Sequence, residues 1–126
     1  MAGIPADGSR LRVVWYARRA CDVLRLEGEL DLSTAERVRQ ALAPAPASRS
    51  GRRHLVLDLR RLQFVDSSGL GALFQLHRRV VARGGRTLVA RPTPTVERVL
   101  RLSGFFKLAG RAGSVDEAVH VLEEDG

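Results

Sequence analysis

Two short segments carry the polar side chains best placed for chemistry: Asp31-Leu32-Ser33-Thr34 and Asp66-Ser67-Ser68-Gly69. Each falls where a strand-like run gives way to a helix-like one. In open α/β sheets, sites lie beyond the carboxyl ends of strands, at helix N-termini. The second segment is the more unusual. A helix start needs one capping side chain, and Asp or Ser would suffice. Here three capping-type residues stand together, and Gly69 and Gly71 follow in the first turns. Each glycine costs about 1 kcal/mol against alanine inside a helix. Two explanations are open. Either a generously capped helix uses glycines to pack tightly on a strand, or a serine is presented on a low surface that another protein can reach. A phosphate at such a helix start would meet unpaired N–H groups and the positive dipole end. Phosphorylation there need not unfold the domain.

Catalytic readings fare worse. The G-x-S-x-G elbow is absent, because Val65 and Asp66 precede Ser67 where a glycine is required. No phosphate-binding G-x-x-x-x-G-K-[ST] loop and no G-x-G-x-x-G fingerprint occurs. His77 lies about 15 Å along the same helix from Ser67, by the 1.5 Å rise per residue, out of hydrogen-bond reach. On an apolar stripe it is expected to be a partly buried packing residue. His54 opens a strand, His120 sits on the last helix, and Cys21 is expected to be inert. One cysteine and three histidines are too few for a zinc framework, so no metal, no cofactor and no enzymatic activity are expected.

The elements that must position these segments are legible from periodicity. Residues 1–10 are expected to be a flexible leader and residues 11–124 one domain. Leu11 to Ala17 is β-branched and aromatic, a strand; a turn over Arg18–Asp22 leads to a second, alternating strand from Val23 to Leu30, closing a hairpin. Ser33 and Glu36 form a capping box for a helix carrying Ala35, Val38 and Leu42, which ends before Pro44. Residues 43–52 are a loop by composition. His54 to Leu59 is a short apolar run suited to a buried central strand. Leu70, Leu73, Phe74, His77 and Val81 fall at helical spacing, and Gly84-Gly85 stops that helix. Arg86 to Ala90 is a strand. Thr93 caps a third helix with Pro94 at its first position, its apolar face is Val96, Val99 and Leu100, and Gly104 ends it. Phe105 to Ala109 is expected to be a last short strand. Ser114 and Glu117 form a second capping box before the stripe Val115, Ala118, Val119 and Leu122. The order β-β-α-β-α-β-α-β-α predicts an α/β domain of about four helices, with a mixed, mostly parallel sheet behind an N-terminal hairpin.

Composition bounds the remaining classes. The chain has 126 residues, 44% of them hydrophobic, one domain's worth with a core of its own. No apolar run approaches the roughly 18 residues of a membrane span, so no membrane insertion is expected. The start MAGIPADGSR lacks a basic region followed by an apolar one, so no signal peptide is expected. With a lone free thiol, this points to the cytoplasm. Net charge is +7, and Lys107 is the sole lysine. The tail from residue 114 carries −5 and residues 1–113 carry +12. The arginines are scattered and not interleaved with aromatics, so direct nucleic-acid binding is not expected.

The segment Phe64-Val65-Asp66-Ser67-Ser68-Gly69-Leu70-Gly71 follows the apolar run Leu55–Leu59, and Gly28-Glu29-Leu30-Asp31 and Thr34-Ala35 stand upstream. With Ser103-Gly104-Phe105-Phe106, these stretches make the chain resemble the STAS-domain anti-sigma factor antagonists of bacteria from about Leu11 to Leu122. The resemblance implies a STAS-like single domain that binds an anti-sigma factor and releases the sigma factor for transcription. It implies an ATP-dependent serine kinase as that partner, phosphorylation at Ser67 to end binding, and a serine phosphatase to reset it. Ser67 is then the phosphoacceptor; Asp31, Ser33, Thr34, Asp66, Ser68, Gly69 and Leu70 are the partner-binding positions. A monomer is implied. The alternative within the same fold is a STAS subunit of a membrane transporter complex or larger signalling assembly, since fold alone does not separate these roles.

Overall fold

The computed structural model describes residues 10–41 and 52–124. Residues 1–9 of the expected leader and most of the expected loop after the first helix fall outside these residues, as does Leu42; Arg10, the last residue of that leader, is described and pairs with Glu29.

Strands β1 (Leu11–Arg18) and β2 (Cys21–Leu30) pair antiparallel across the two-residue turn Arg19-Ala20. Ala20, the second of the two turn residues, takes the left-handed φ of 62° that a type II turn places there. β2 then pairs in parallel with β3 (His54–Val65), β3 with β4 (Thr87–Ala90), and β4 with β5 (Gly110–Ala112). The sheet order is β1-β2-β3-β4-β5. Helices α1 (Ala35–Arg39), α2 (Ser67–Ala82) and α3 (Pro94–Leu102) connect the parallel strands, and α4 (Val115–Glu124) closes the described chain. This is the anticipated mixed α/β sheet behind a hairpin.

The sheet buries both faces unequally. Leu24, Leu26, Leu30, Leu55, Leu57 and Leu59 join residues of α1, α2 and α3 in the main core. Cys21, Val23, Val56, Leu88 and Ala90 project the other way, onto Ala118, Val119 and Leu122 of α4. Adjacent strand residues alternate between these two clusters, as the strand period of two requires.

The structure corrects several local expectations. First, β3 does not end at Leu59 but runs to Val65, because Leu62 and Val65 stay buried while Arg60, Arg61, Gln63 and Phe64 face outward. Second, Phe105 begins no strand. Gly104 takes φ 84° and the chain tightens into a 3-10 turn over Phe105–Lys107. The fully buried Phe105 ring meets Phe74 of α2 edge to face, centroids 5.0 Å apart. A strand there would withdraw that ring from the core, so β5 starts only at Gly110. Third, Ser33 does not cap the first helix: the N-cap is Thr34, without a side-chain cap bond. Fourth, the buried stripe of α2 is Ala72, Leu73, Leu76, His77 and Val80, while Val81 is exposed. The hairpin turn is also tighter than the expected Arg18–Asp22, since Arg18 ends β1 and Cys21 and Asp22 open β2. The caps of the last two helices match. Thr93 Oγ1 accepts from Val96 N, Ser114 Oγ accepts from Glu117 N, and buried His77 shares a 3.0 Å hydrogen bond between Nδ1 and Thr87 Oγ1.

Candidate functional site

Parallel pairing of β2 and β3 brings Leu30 beside Val65 at the carboxyl ends of both strands. Two irregularities in that pairing, at Arg25/Glu27 and Gly28/Glu29, let strands of unequal content finish level. The two chemistry-bearing segments follow at once, so they meet.

Asp66 is the joint between them. Its backbone N donates to Leu30 O at 3.1 Å. Its side chain caps α2, with Oδ1 accepting from Gly69 N at 2.9 Å. Oδ2 accepts from Leu32 N at 3.2 Å. Asp66 therefore begins the helix with its carboxylate and holds the neighbouring loop on either side of Asp31, by its backbone at Leu30 and its side chain at Leu32.

Asp31 builds that loop. Its Oδ1 accepts from Ser33 Oγ at 2.7 Å and from Ser33 N at 2.9 Å. The Ser33 hydroxyl bond, then the Ser33 amide and Thr34, hold its carboxyl below the ordinary carboxylate value. Ser33 thus folds back on Asp31 instead of capping a helix, the reason for the correction above. Thr34 is buried; its Oγ1 donates to Glu29 O at 3.0 Å and accepts from Asp31 N at 2.9 Å. It pins the loop from beneath and offers no surface of its own.

Ser67 is the first residue of α2, exposed, and its hydroxyl makes no hydrogen bond among the described residues. Ser68 is half-buried behind it, and Leu70 is half-buried against the main core. Gly69 is buried. A Cβ there would stand 2.5 Å from Leu30 Cγ and 2.6 Å from Leu30 O. Gly71 differs, for a Cβ there would meet nothing within 4 Å. It is exposed one turn beyond Ser67, on the same helical face. Both explanations left open by the sequence therefore operate, each at its own glycine: close packing at Gly69, a low approach surface at Gly71.

Two apolar side chains frame this patch, neither of them among the partner-binding positions that the resemblance implies. Leu32 is 79% exposed and Phe64 44% exposed. The usable signal was Leu32, an isolated apolar residue between Asp31 and Ser33. Phe64 gave none, because the bulged pairing of β2 with β3 decides which way it faces. The other reactive groups lie apart from the patch. Cys21 is buried, and burial raises its thiol to about 11. No group of three or more His, Cys, Asp or Glu residues among the described residues could hold a metal ion. No helix among them is long and apolar enough to cross a membrane.

Comparison with known proteins bears on this geometry. The STAS domain family model matches residues 15–118. An anti-sigma F factor antagonist of Paenibacillus polymyxa is 38% identical over 98 residues, covering 78% of this chain and 83% of that protein. The solved structure of the anti-sigma factor antagonist SpoIIAA in its unphosphorylated form superposes with a TM-score of 0.75 at 30% identity, over 90% of this chain and 96% of that one. SpoIIAA of Bacillus in its phosphorylated form superposes at 0.67 and 29% identity, over 89% and 98%.

Proposed function

This chain belongs to the STAS domain family, and from that premise we propose that it is an anti-sigma factor antagonist whose partner contact is switched by phosphorylation of Ser67. The observation that carries the reading is Ser67 itself: an exposed, unbonded hydroxyl at the joint of two strand-end loops that share the Asp66 carboxylate. Relatives named as antagonists, one of them solved in a phosphorylated form, support it.

The proposed partner is an anti-sigma factor that is also an ATP-dependent serine kinase. Ser67, Ser68, Asp31 and Ser33 supply the polar contacts, Leu32 and Phe64 the apolar rim. Leu70, Thr34 and Gly69 hold the contact surface in place from within. The protein acts by binding, and the kinase performs the chemistry. In that reaction the Ser67 hydroxyl attacks the terminal phosphate of ATP; the new O–P bond replaces the bond to ADP, and the hydroxyl proton is lost. A serine phosphatase restores the hydroxyl by hydrolysis.

Phosphate adds about −1.5 to −2 charges beside Asp66, with Asp31 already ionised in the adjoining loop. Burying that cluster against a surface shaped for a neutral hydroxyl opposes binding. A penalty of roughly 4 kcal/mol weakens an interface about a thousandfold. The fold need not move, because the first-turn amides of α2 accommodate negative charge.

The test is a pull-down from the host's extract with Ser67→Ala and Ser67→Asp baits, followed by direct binding to the captured protein. The expected result is an ATP-binding kinase retained by the alanine bait, and labelling of wild type that Ser67→Ala abolishes and Ser68→Ala preserves. Nanomolar binding by Ser67→Asp would defeat the charge mechanism. Labelling lost in Ser68→Ala and kept in Ser67→Ala would move the acceptor.

A further inference from the structure

A second polar feature lies on the opposite face of the sheet, where α4 covers only part of the strands. A cleft of about 220 Å³ opens there between β1, β2, β3, the end of β4 and the start of α4. Four arginines line it: Arg18, Arg25, Arg60 and Arg91. Two acidic residues, Asp58 and Asp116, line it with them. Arg18 is paired with Asp116 at 3.1 Å and Arg25 with Glu27 at 3.0 Å. Arg60 and Arg91 form no ion pair among the described residues, and both are exposed. The cleft thus holds two guanidinium groups outside any ion pair, offset in part by the single carboxylate of Asp58.

From this arrangement we propose that the cleft is a binding site for a small hydroxylated phosphate monoester. Its volume is below the roughly 300–1,000 Å³ of pockets for drug-sized ligands, which suits a guest of a few carbons and a phosphate. Guanidinium groups bind phosphate through paired N–H donors. The start of α4 adds to them. Ser114 spends its hydroxyl on Glu117 N, leaving the first-turn amides of Val115 and Asp116 without intrahelical acceptors. Such amides favour an anion. Asp58 sets the rest of the specificity. It is buried in the sheet and accepts only a long 3.4 Å bond from Arg60 N. A carboxylate among arginines repels a bare polyanion and welcomes a donor, so the ligand pairs its phosphate with a hydroxyl directed at Asp58. This site is on the α4 side of the sheet, whereas Ser67 begins a helix packed on the other side, so ligand binding stands independently of the proposed phosphorylation.

The experiment titrates the full chain with glycerol 3-phosphate at fixed ionic strength, following backbone amides by NMR. Inorganic phosphate serves as the arm without a carbon-bound hydroxyl. Saturable shifts centred on Arg91, Val115 and Asp116 are expected, with glycerol 3-phosphate binding more tightly than inorganic phosphate. Arg60→Gln and Arg91→Asn should each weaken binding about tenfold; asparagine suits Arg91's φ of 49°. Arg98→Gln, which removes an equal charge on exposed α3, should leave it unchanged. If Arg91→Asn disturbs the sheet amides, Arg60→Gln decides alone. Shifts without saturation, shifts centred at Ser67, or equal weakening by Arg98→Gln would overturn the proposal.

Discussion

Gly69 and Gly71 stand two residues apart in α2 and answer to different demands. At Gly69 the helix presses on the end of β2, and an added methyl would collide with the Leu30 backbone carbonyl as well as its side chain. Backbone cannot rotate aside, so Gly69→Ala should destabilise the fold by about 1–3 kcal/mol. Gly71→Ala meets open space and should stabilise by up to about 1 kcal/mol through helix propensity, while raising the surface beside Ser67 and weakening partner binding. Urea unfolding of both variants checks this; equal effects on stability would refute the distinct roles. Asp31 makes a separate prediction. Its carboxyl is held below 3.8, first by the Ser33 hydroxyl. A carboxyl depressed in the folded state stabilises the fold above its unfolded value and loses that contribution as pH falls through the folded one. An NMR titration of Asp31 should therefore give a midpoint below 3.8, and Ser33→Ala should bring it back up. A midpoint unmoved by Ser33→Ala would mean the loop is held by something else.

At the scale of elements, α4 is the cover of the second core. It lays Ala118, Val119 and Leu122 over Cys21, Val23 and Val56. Leu122 and Cys21 are fully buried. Leu122→Ala should cost about 2–5 kcal/mol, the usual range for emptying a buried leucine site. The same change should expose the thiol. Burial raises Cys21 to about 11, so at pH 8 only about a thousandth of it is thiolate, the reactive form. Maleimide labelling of the native chain should be slow and should accelerate in Leu122→Ala as α4 opens locally. Unchanged labelling in a destabilised variant would show that some other element shields the thiol. The switch region draws on a different device. Asp66 bridges the β2 and β3 ends in both backbone and side chain, so the contact surface is tied to the central strand and its interior neighbour.

For the molecule as a whole, charge and function separate spatially. The chain carries +7, yet the proposed switch gathers Asp31 and Asp66 around Ser67. Arg60 and Arg91, outside any ion pair among the described residues, lie in the cleft on the far side of the sheet. Because Ser67 is exposed and unbonded, a charge there should change binding without changing the fold. Ser67→Asp should keep the wild-type far-UV spectrum and unfold within about 0.5 kcal/mol of wild type, as surface substitutions do. A midpoint displaced well beyond that would make the switch conformational rather than electrostatic.

Sequence alone determined the order of elements, the hairpin, and the caps at Thr93 and Ser114, and it narrowed the cap of α2 to Asp66, Ser67 or Ser68. Each of these is a contact or a period contained within about four residues, so its cause is present in the local string. It also drew attention to the helix start at Asp66–Gly69, and the family resemblance singled out Ser67 within it. Tertiary structure alone decided that residues 31–34 and 66–70 share one surface. That depends on β2 and β3 pairing in parallel across more than thirty residues, with bulges that shift the register. It also decided which positions form that surface. Thr34 and Gly69 turn inward while Leu32 and Phe64 turn outward, an outcome of packing between segments. Phe105 shows the same limit: its run has strand composition, but Phe74 and the core beneath α2 claim its ring. The arginine cleft has no sequence signature, since its walls come from every strand but β5 and from the start of α4, and only the assembled sheet brings them together.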